Sequence, residues 1–319
     1  MSKKIAFLFP GQGSQAVGMG QDLYEHFPVA RAIFDEADTV LGFSLSQLCF
    51  EGPEERLKLT ENTQPAILTV SVAAQRVLAG HGVQAQVAAG HSLGEYSAQV
   101  AAGTISFADA VRTVRNRGRY MQEAVPAGQG AMAAILGLSA EDVEDICRAA
   151  SLESRNTESW DIVSAANLNS PEQIVISGSV SAVERAVSLA KEHGAKRAIV
   201  LPVSAPFHCA LMQPAQDRLA ADLQALSFAP SHVPVAVNVD AVLVEDPAAA
   251  RDALIRQVTG PVRWVECMRL LIAQGATHFV EVGPGKVLRG LMRQIDRSQI
   301  CLNVEDSASL EKTLIALAN

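Results

Sequence analysis

Three times along this chain a short apolar run ends in a glycine-rich turn and gives way to a helix-forming stretch. Residues 5–9 (Ile-Ala-Phe-Leu-Phe) run into Pro10-Gly11-Gln12-Gly13-Ser14-Gln15. Val87-Ala88-Ala89 runs into Gly90-His91-Ser92-Leu93-Gly94 and a helical pattern over 95–102. Residues 278–282 run into Gly283-Pro284-Gly285 and a helical pattern over 286–295. A strand that feeds a helix cannot pair with its successor through a hairpin and returns by a crossover instead. The repeated pattern therefore predicts an α/β protein with a mostly parallel sheet covered by helices on both faces. Nearly half the residues are hydrophobic but only 5% are aromatic, as strands buried between helices require. Functional residues belong at the turns leaving the carboxyl ends of such strands.

The stretch 130–203 has a different order. A strand is predicted over 131–136, then a helix capped by Ser139 with Asp142 at its third position. Short strands over 162–166 and 174–177 flank the turn Asn169-Ser170-Pro171-Glu172. Ser181 is expected to cap a second helix ending at His193-Gly194, followed by a strand over 197–203. The order β-α-β-β-α-β is that of a ferredoxin-like unit. We expect a small domain, 130–203, inserted into a discontinuous large one made of 1–129 and 204–319.

The 319 residues suffice for one large domain or two ordinary ones. A net charge of −8 argues against bulk attraction to nucleic acid. No apolar run is long enough to span a bilayer. The start, Met1-Ser2-Lys3-Lys4 and then 5–9, is too short for a signal-peptide core and reads as a first strand. Cys49, Cys147, Cys209, Cys267 and Cys301 are scattered without paired metal spacing, which fits reduced thiols in the cytoplasm and no metal.

Gly90-His91-Ser92-Leu93-Gly94 has the form G-x-S-x-G between a buried strand and a helix. That context lifts the Ser92 hydroxyl clear of the sheet at the positive end of a helix. A serine nucleophile needs a base. His26 lies on a polar helix, His81 and His193 precede glycines at helix ends, and His91 adjoins Ser92 and should point elsewhere. His232 is in a proline-flanked loop, and His278 begins a strand at the wrong end of the sheet. His208, in Pro206-Phe207-His208-Cys209 just beyond an apolar strand, remains; the competing reading is a satisfied core histidine. Cys209 is a rival nucleophile, but its place beside His208 in sequence suits a buried inert thiol better. No acidic third member is clear. Glu281 stands at a strand exit without an evident role, so a dyad is expected, its imidazole oriented by a backbone carbonyl.

Attack by a serine on a carbonyl creates an oxyanion that two aimed N–H donors can stabilise. The N–H of Leu93 supplies one and the N–H of Gln12, in the first glycine turn, the other. A dinucleotide loop is disfavoured, since Gly11-x-Gly13 lacks the third glycine and the distal acidic residue. Gly285-Lys286 is not a P-loop, because 280 and 287 are both Val. On the helix over 107–121, Phe107, Ala110, Val111, Val114, Gly118 and Met121 form the apolar stripe. Arg112 and Arg119 fall on the far side, Arg115 lies near the border, and Arg117 points inward. A buried guanidinium requires an anion, either a structural Asp or Glu or the carboxylate of a substrate.

Taken together these motifs resemble the malonyl-CoA:acyl-carrier-protein transacylases, essentially from end to end. The resemblance is carried by Phe9-Pro10-Gly11-Gln12-Gly13-Ser14-Gln15, by Asn62-Thr63-Gln64-Pro65-Ala66, by Gly90-His91-Ser92-Leu93-Gly94-Glu95-Tyr96 and by Glu281-Val282-Gly283-Pro284-Gly285. It implies an α/β-hydrolase-like large domain with an inserted ferredoxin-like domain. It implies Ser92 and His208 as catalytic residues, Arg117 as the malonate-binding arginine, and Gln257 as the residue whose backbone carbonyl holds His208. Family members vary at the position of Phe207. The implied reaction is ping-pong: malonyl-CoA acylates Ser92, and the phosphopantetheine thiol of acyl carrier protein takes the malonyl group, with no metal or redox cofactor. The alternative is a related transferase of a polyketide pathway. Malonyl-CoA and acyl carrier protein are the expected partners of a monomer that binds neither nucleic acid nor membrane. Lys286, Arg289, Arg293 and Arg297 recur at helical spacing and suggest a basic face for an acidic carrier.

Overall fold

A computed structural model describes residues 3–151, 161–203 and 205–318. Six strands form one sheet: β1 (Ile5–Phe9), β2 (Val87–Gly90), β7 (Val235–Ala236), β8 (Leu243–Val244), β9 (His278–Val282) and β10 (Ile300–Val304). Their order is β10-β9-β1-β2-β7-β8. Every pairing is parallel except that of β7 with the edge strand β8. The other four, β3 (Gly130–Leu136), β4 (Val163–Ser170), β5 (Gln173–Ser179) and β6 (Arg197–Val200), form an antiparallel sheet in the order β4-β5-β3-β6. That strand order, with two helices between the strands, is the ferredoxin-like arrangement.

Strand periodicity divides the core. Phe7, Phe9 and Ala88 pack against the helices Thr60–Gly80, Leu93–Ala101 and Phe107–Glu123. Their neighbours Ala6, Leu8, Val87 and Ala89 face the opposite layer, where Trp264, Met268, Leu271, Leu291 and Met292 cover them. Successive side chains on a strand point to opposite faces, so both faces of these central strands are buried. A third cluster, with Ile135, Ile146, Ile174, Ile176 and Val183, fills the space between the small sheet and its helices Ala140–Ala150 and Val180–Glu192. Ser139 and Asp142 form a reciprocal capping box. No helix among the described residues is long and apolar enough to cross a membrane.

Several boundaries differ from the sequence expectations. β4 and β5 are longer than expected, because they meet at a hairpin of only Pro171-Glu172. The second small-domain helix begins at Val180, with Ser179 rather than Ser181 at its N-cap. Pairing of β5 with β3 runs out to Ser179, and Ser181 instead donates its hydroxyl to Asp161 Oδ1. β6 stops at Val200, so Leu201 and Val203 are free to line a cleft. After the first glycine turn no helix forms until Gln21–His26. Met1, Ser2 and Ser204 of the expected segments lie outside the described residues.

Candidate active site

Ser92 joins β2 to the helix Leu93–Ala101 with φ 51° and ψ −106°. For a residue with a side chain this conformation costs about 1–3 kcal/mol and persists only where the surroundings enforce it. Gly90 and Gly94 make this turn possible by leaving room for backbone. A Cβ on Gly90 would sit 1.9 Å from the Gly94 carbonyl, and one on Gly94 2.0 Å from the Phe9 oxygen. A Cβ on Gly11 would meet the His91 oxygen at 2.4 Å. These glycines let two strand exits touch, while Ser92 itself carries the strain. Asn238 and Gln257 clamp it: Asn238 Oδ1 accepts from the Ser92 N–H (2.7 Å), Asn238 Nδ2 donates to the Gly90 carbonyl (2.7 Å), and Gln257 Nε2 donates to the Ser92 carbonyl (3.0 Å).

His208 also has positive φ, 61°, and is buried. Its Nε2 lies 2.7 Å from Ser92 Oγ, and its Nδ1 2.9 Å from the Gln257 carbonyl oxygen. A carbonyl only accepts, so Nδ1 carries the proton and the Nε2 lone pair faces the serine hydroxyl. Burial, and next the charge of Arg117, push the His208 pKa down to about 3, against the pull of the Gln257 carbonyl. The ring is therefore neutral near pH 7 and can accept the Ser92 proton. Glu281 plays no part in this pair. Its two oxygens accept from the backbone N–H groups of Leu288 (3.0 Å) and Arg289 (2.8 Å), capping the helix Val287–Ile295, and burial raises its carboxyl to about 7.

Arg117 is only 2% exposed. It donates to Gln64 Oε1 (2.8 Å), to Gln257 Oε1 (2.9 Å) and to Ser92 Oγ (3.1 Å), and lies over the Tyr96 ring. No Asp or Glu among the described residues forms an ion pair with it, which removes the structural ion pair left open by the sequence. Burial lowers its pKa, yet a guanidinium remains protonated. Two neutral amides thus orient a cation beside the serine hydroxyl, and such a cation attracts a carboxylate.

These groups line a cleft of about 270 Å³ between the two sheets, with Gln12, Leu93 and Met121 on one wall and Met132, Asn169, Val175 and Leu201 on the other. The backbone N–H groups of Gln12 and Leu93 have no acceptor among the described residues. His91 turns away from Ser92, as expected: its Nε2 lies 2.7 Å from Asn169 Oδ1 and its ring tilts against Trp264. Cys209 is a buried thiol, raised by burial, that donates to the Pro206 carbonyl and lies outside the cleft. Of the four residues of the expected basic face, Arg293 is exposed on the helix Val287–Ile295. Lys286 pairs with Glu305 (2.7 Å), Arg289 donates to Asn303, and Arg297 lies beyond the end of its helix. Asn238, Glu95 and the side chain of Gln64 were not singled out from sequence as functional. Only Asn238 carried a usable signal, a polar residue just past the short buried strand β7.

A family model described as acyl transferase domain matches residues 6–311. A malonyl CoA-acyl carrier protein transacylase of Bacillus subtilis (strain 168) is 51% identical over 314 residues, 98% of this chain and 97% of that protein. The structure of a malonyl CoA-acyl carrier protein transacylase from Coxiella burnetii superposes with a TM-score of 0.95 at 45% identity, covering 99% of this chain and 98% of that one. A chain from the structure of a type II polyketide acyl-carrier protein in complex with its malonyl-transacylase matches, as the transacylase, with a TM-score of 0.93 at 46% identity, over 98% of this chain and 100% of that one.

Proposed function

The chain belongs to the acyl transferase family, and from that membership we propose that it moves the malonyl group of malonyl-CoA to the phosphopantetheine thiol of acyl carrier protein in fatty-acid synthesis. The observation that carries the site assignment is the 2.7 Å contact of Ser92 Oγ with His208 Nε2, beside a guanidinium that has no carboxylate partner among the described residues. In the first half-reaction Ser92 Oγ attacks the thioester carbonyl and its proton passes to His208 Nε2. The N–H groups of Gln12 and Leu93, without an acceptor among the described residues, support their assignment to the oxyanion. The C–S bond breaks, and His208 returns the proton to the departing CoA sulfur. In the second half-reaction the carrier thiol gives its proton to His208 and attacks malonyl-Ser92. The ester bond breaks and the proton returns to Ser92 Oγ. Arg117 holds the malonyl carboxylate, and the Gln257 carbonyl keeps the imidazole in its tautomer. Each step uses protein groups alone. The small domain 130–203 acts as an insert that closes the cleft over a large domain of 1–129 and 204–319. A cytoplasmic setting is supported by cysteines that are free throughout the described residues.

Intact-protein mass spectrometry tests the assignment. Mixed with a panel of acyl-CoA thioesters, the protein should gain one malonyl group, mapped to the peptide of Ser92, and Ser92→Ala should gain none. An adduct on Cys209 would overturn the nucleophile. The complex with a polyketide carrier supports a second reading, in which the acceptor belongs to a polyketide pathway. Offering malonyl-protein to a fatty-acid carrier and a polyketide carrier separates the two by which one is loaded faster.

A further inference from the structure

Behind Ser92 lies a carboxyl group for which the transfer reaction has no use. Glu95, in the first turn of the helix that begins at Leu93, is fully buried. Its Oε2 accepts from Gln257 Nε2 at 2.9 Å and from the Asn238 backbone N–H at 2.8 Å, while Oε1 has no partner among the described residues. A carboxyl is costly to bury unless it organises donors. The two donors here belong to the residues that clamp Ser92, and one of those residues also reaches Arg117.

The Gln257 amide is asymmetric, and the site depends on which way round it lies. As observed, Nε2 faces two acceptors, the Ser92 carbonyl and Glu95 Oε2, and Oε1 faces the Arg117 guanidinium. Turned over, it would set its oxygen against two oxygens and its NH2 against a guanidinium NH2, three repulsive contacts. The Ser92 carbonyl shares its two lone pairs between the Glu95 backbone N–H and Gln257 Nε2, and the Glu95 carboxyl gives Nε2 its second acceptor, at 2.9 Å and from a side chain that can be removed without touching the backbone. We propose that Glu95 is a positioning residue for dicarboxylic acyl groups: by accepting from Gln257 Nε2 it keeps Gln257 Oε1 on Arg117, and so holds the guanidinium beside Ser92. The proposal rests on the malonyl-transfer reading above. Burial raises the Glu95 carboxyl to about 7, against the pull of Asn238, Gln257 and Arg117, and both protonation states leave a lone pair on Oε2 for the two donors.

The test compares rates of Ser92 acylation by malonyl-CoA and acetyl-CoA, together with thermal stability. Glu95→Ala should lower the malonyl-to-acetyl ratio about tenfold, the scale of losing one buried hydrogen bond to a charged group. Glu95→Gln, whose amide oxygen can accept from the same two donors, should recover most of that ratio. In a Gln257→Ala background, which keeps the backbone carbonyl for His208, adding Glu95→Ala should leave the ratio unchanged, because the route through Gln257 is already cut. If Glu95→Ala fails to fold, Glu95→Met fills the space without an acceptor and carries the same expectation. A structural Glu95 would instead lower both rates and the stability together at a constant ratio, and that result overturns the proposal. Arg117→Ala serves as the control. If it leaves the ratio unchanged, the malonyl reading falls and this proposal with it; if it shifts the ratio while Glu95→Ala does not, only the role of Glu95 falls.

Discussion

His208 and Arg117 meet at the same hydroxyl, and the charge of Arg117 lowers the basicity of His208. Burial is the larger cause of the depressed His208 pKa, and the Arg117 cation adds to it. A like charge nearby disfavours the imidazolium, so removing it must move the pKa upward. A malonyl carboxylate on Arg117 would act in the same direction, making His208 a stronger base when substrate is bound. In the free protein the His208 ring should stay neutral at pH 5.5, where an imidazole of ordinary pKa is about 90% protonated. Arg117→Ala should raise the midpoint while burial keeps it below the ordinary value. Nitrogen-15 histidine NMR across an acid titration reads both, and a wild-type midpoint near the ordinary histidine value would contradict the burial argument. At this scale Ser92, His208 and the inward direction of Arg117 were legible from local pattern. The partner of Arg117 was not, because the Gln64 and Gln257 side chains arrive from other elements.

The helix that carries Arg117 packs against the first turn of the helix Thr60–Gly80 through Gly118. A Cβ on Gly118 would lie 2.5 Å from the Thr60 carbonyl oxygen and 2.7 Å from Glu61 Cα. Gly118→Ala should gain up to about 1 kcal/mol in helix propensity. The clash is with backbone, which yields only if the helices separate, at a cost of about 1–3 kcal/mol. A net loss of stability is expected, along with a weaker preference for malonyl-CoA, since Arg117 and Gln64 stand on the two helices being forced apart. Thermal denaturation and the acyl-CoA rate ratio check this, and an unchanged melting temperature would show that the crossing can relax freely. The elements around the three glycine turns and within the insert were readable from periodicity and caps, whereas the two-residue strands β7 and β8 are too short to show a period. The misplaced cap at Ser181 shows where such reading stops: β-pairing with Gly130 puts Ser179 at the N-cap position, and the hydroxyls of both serines go to Asp161 instead of the helix N–H groups.

At the scale of the whole molecule the site is a joint. The residue before Trp264's helix cap, Val262, continues the edge of the small sheet, donating to the Ala166 carbonyl (2.8 Å) and accepting from the Leu168 N–H (2.9 Å). His91 meets Asn169, and the Ser170 hydroxyl donates to Gln294 (2.8 Å). With β4 tied at these points, the two sheets should unfold together. Chemical denaturation followed by far-ultraviolet circular dichroism and by tryptophan fluorescence, to which buried Trp264 contributes, should give coincident curves. Two separated transitions would show that the insert melts independently and that the cleft is only loosely closed. The sequence by itself determined the parallel sheet, the antiparallel insert and the sharp turn at Ser92, since each is written in local periodicity, in turn residues and in the order of elements along the chain. Tertiary structure set the 2.7 Å approach of His208, 116 positions away, to Ser92, and it alone decided that the side chain of Gln257, 140 positions from Arg117, reaches the guanidinium while its carbonyl holds the imidazole. Contacts of that separation leave no local periodicity, because they depend on how whole layers pack rather than on any residue's neighbours in the chain.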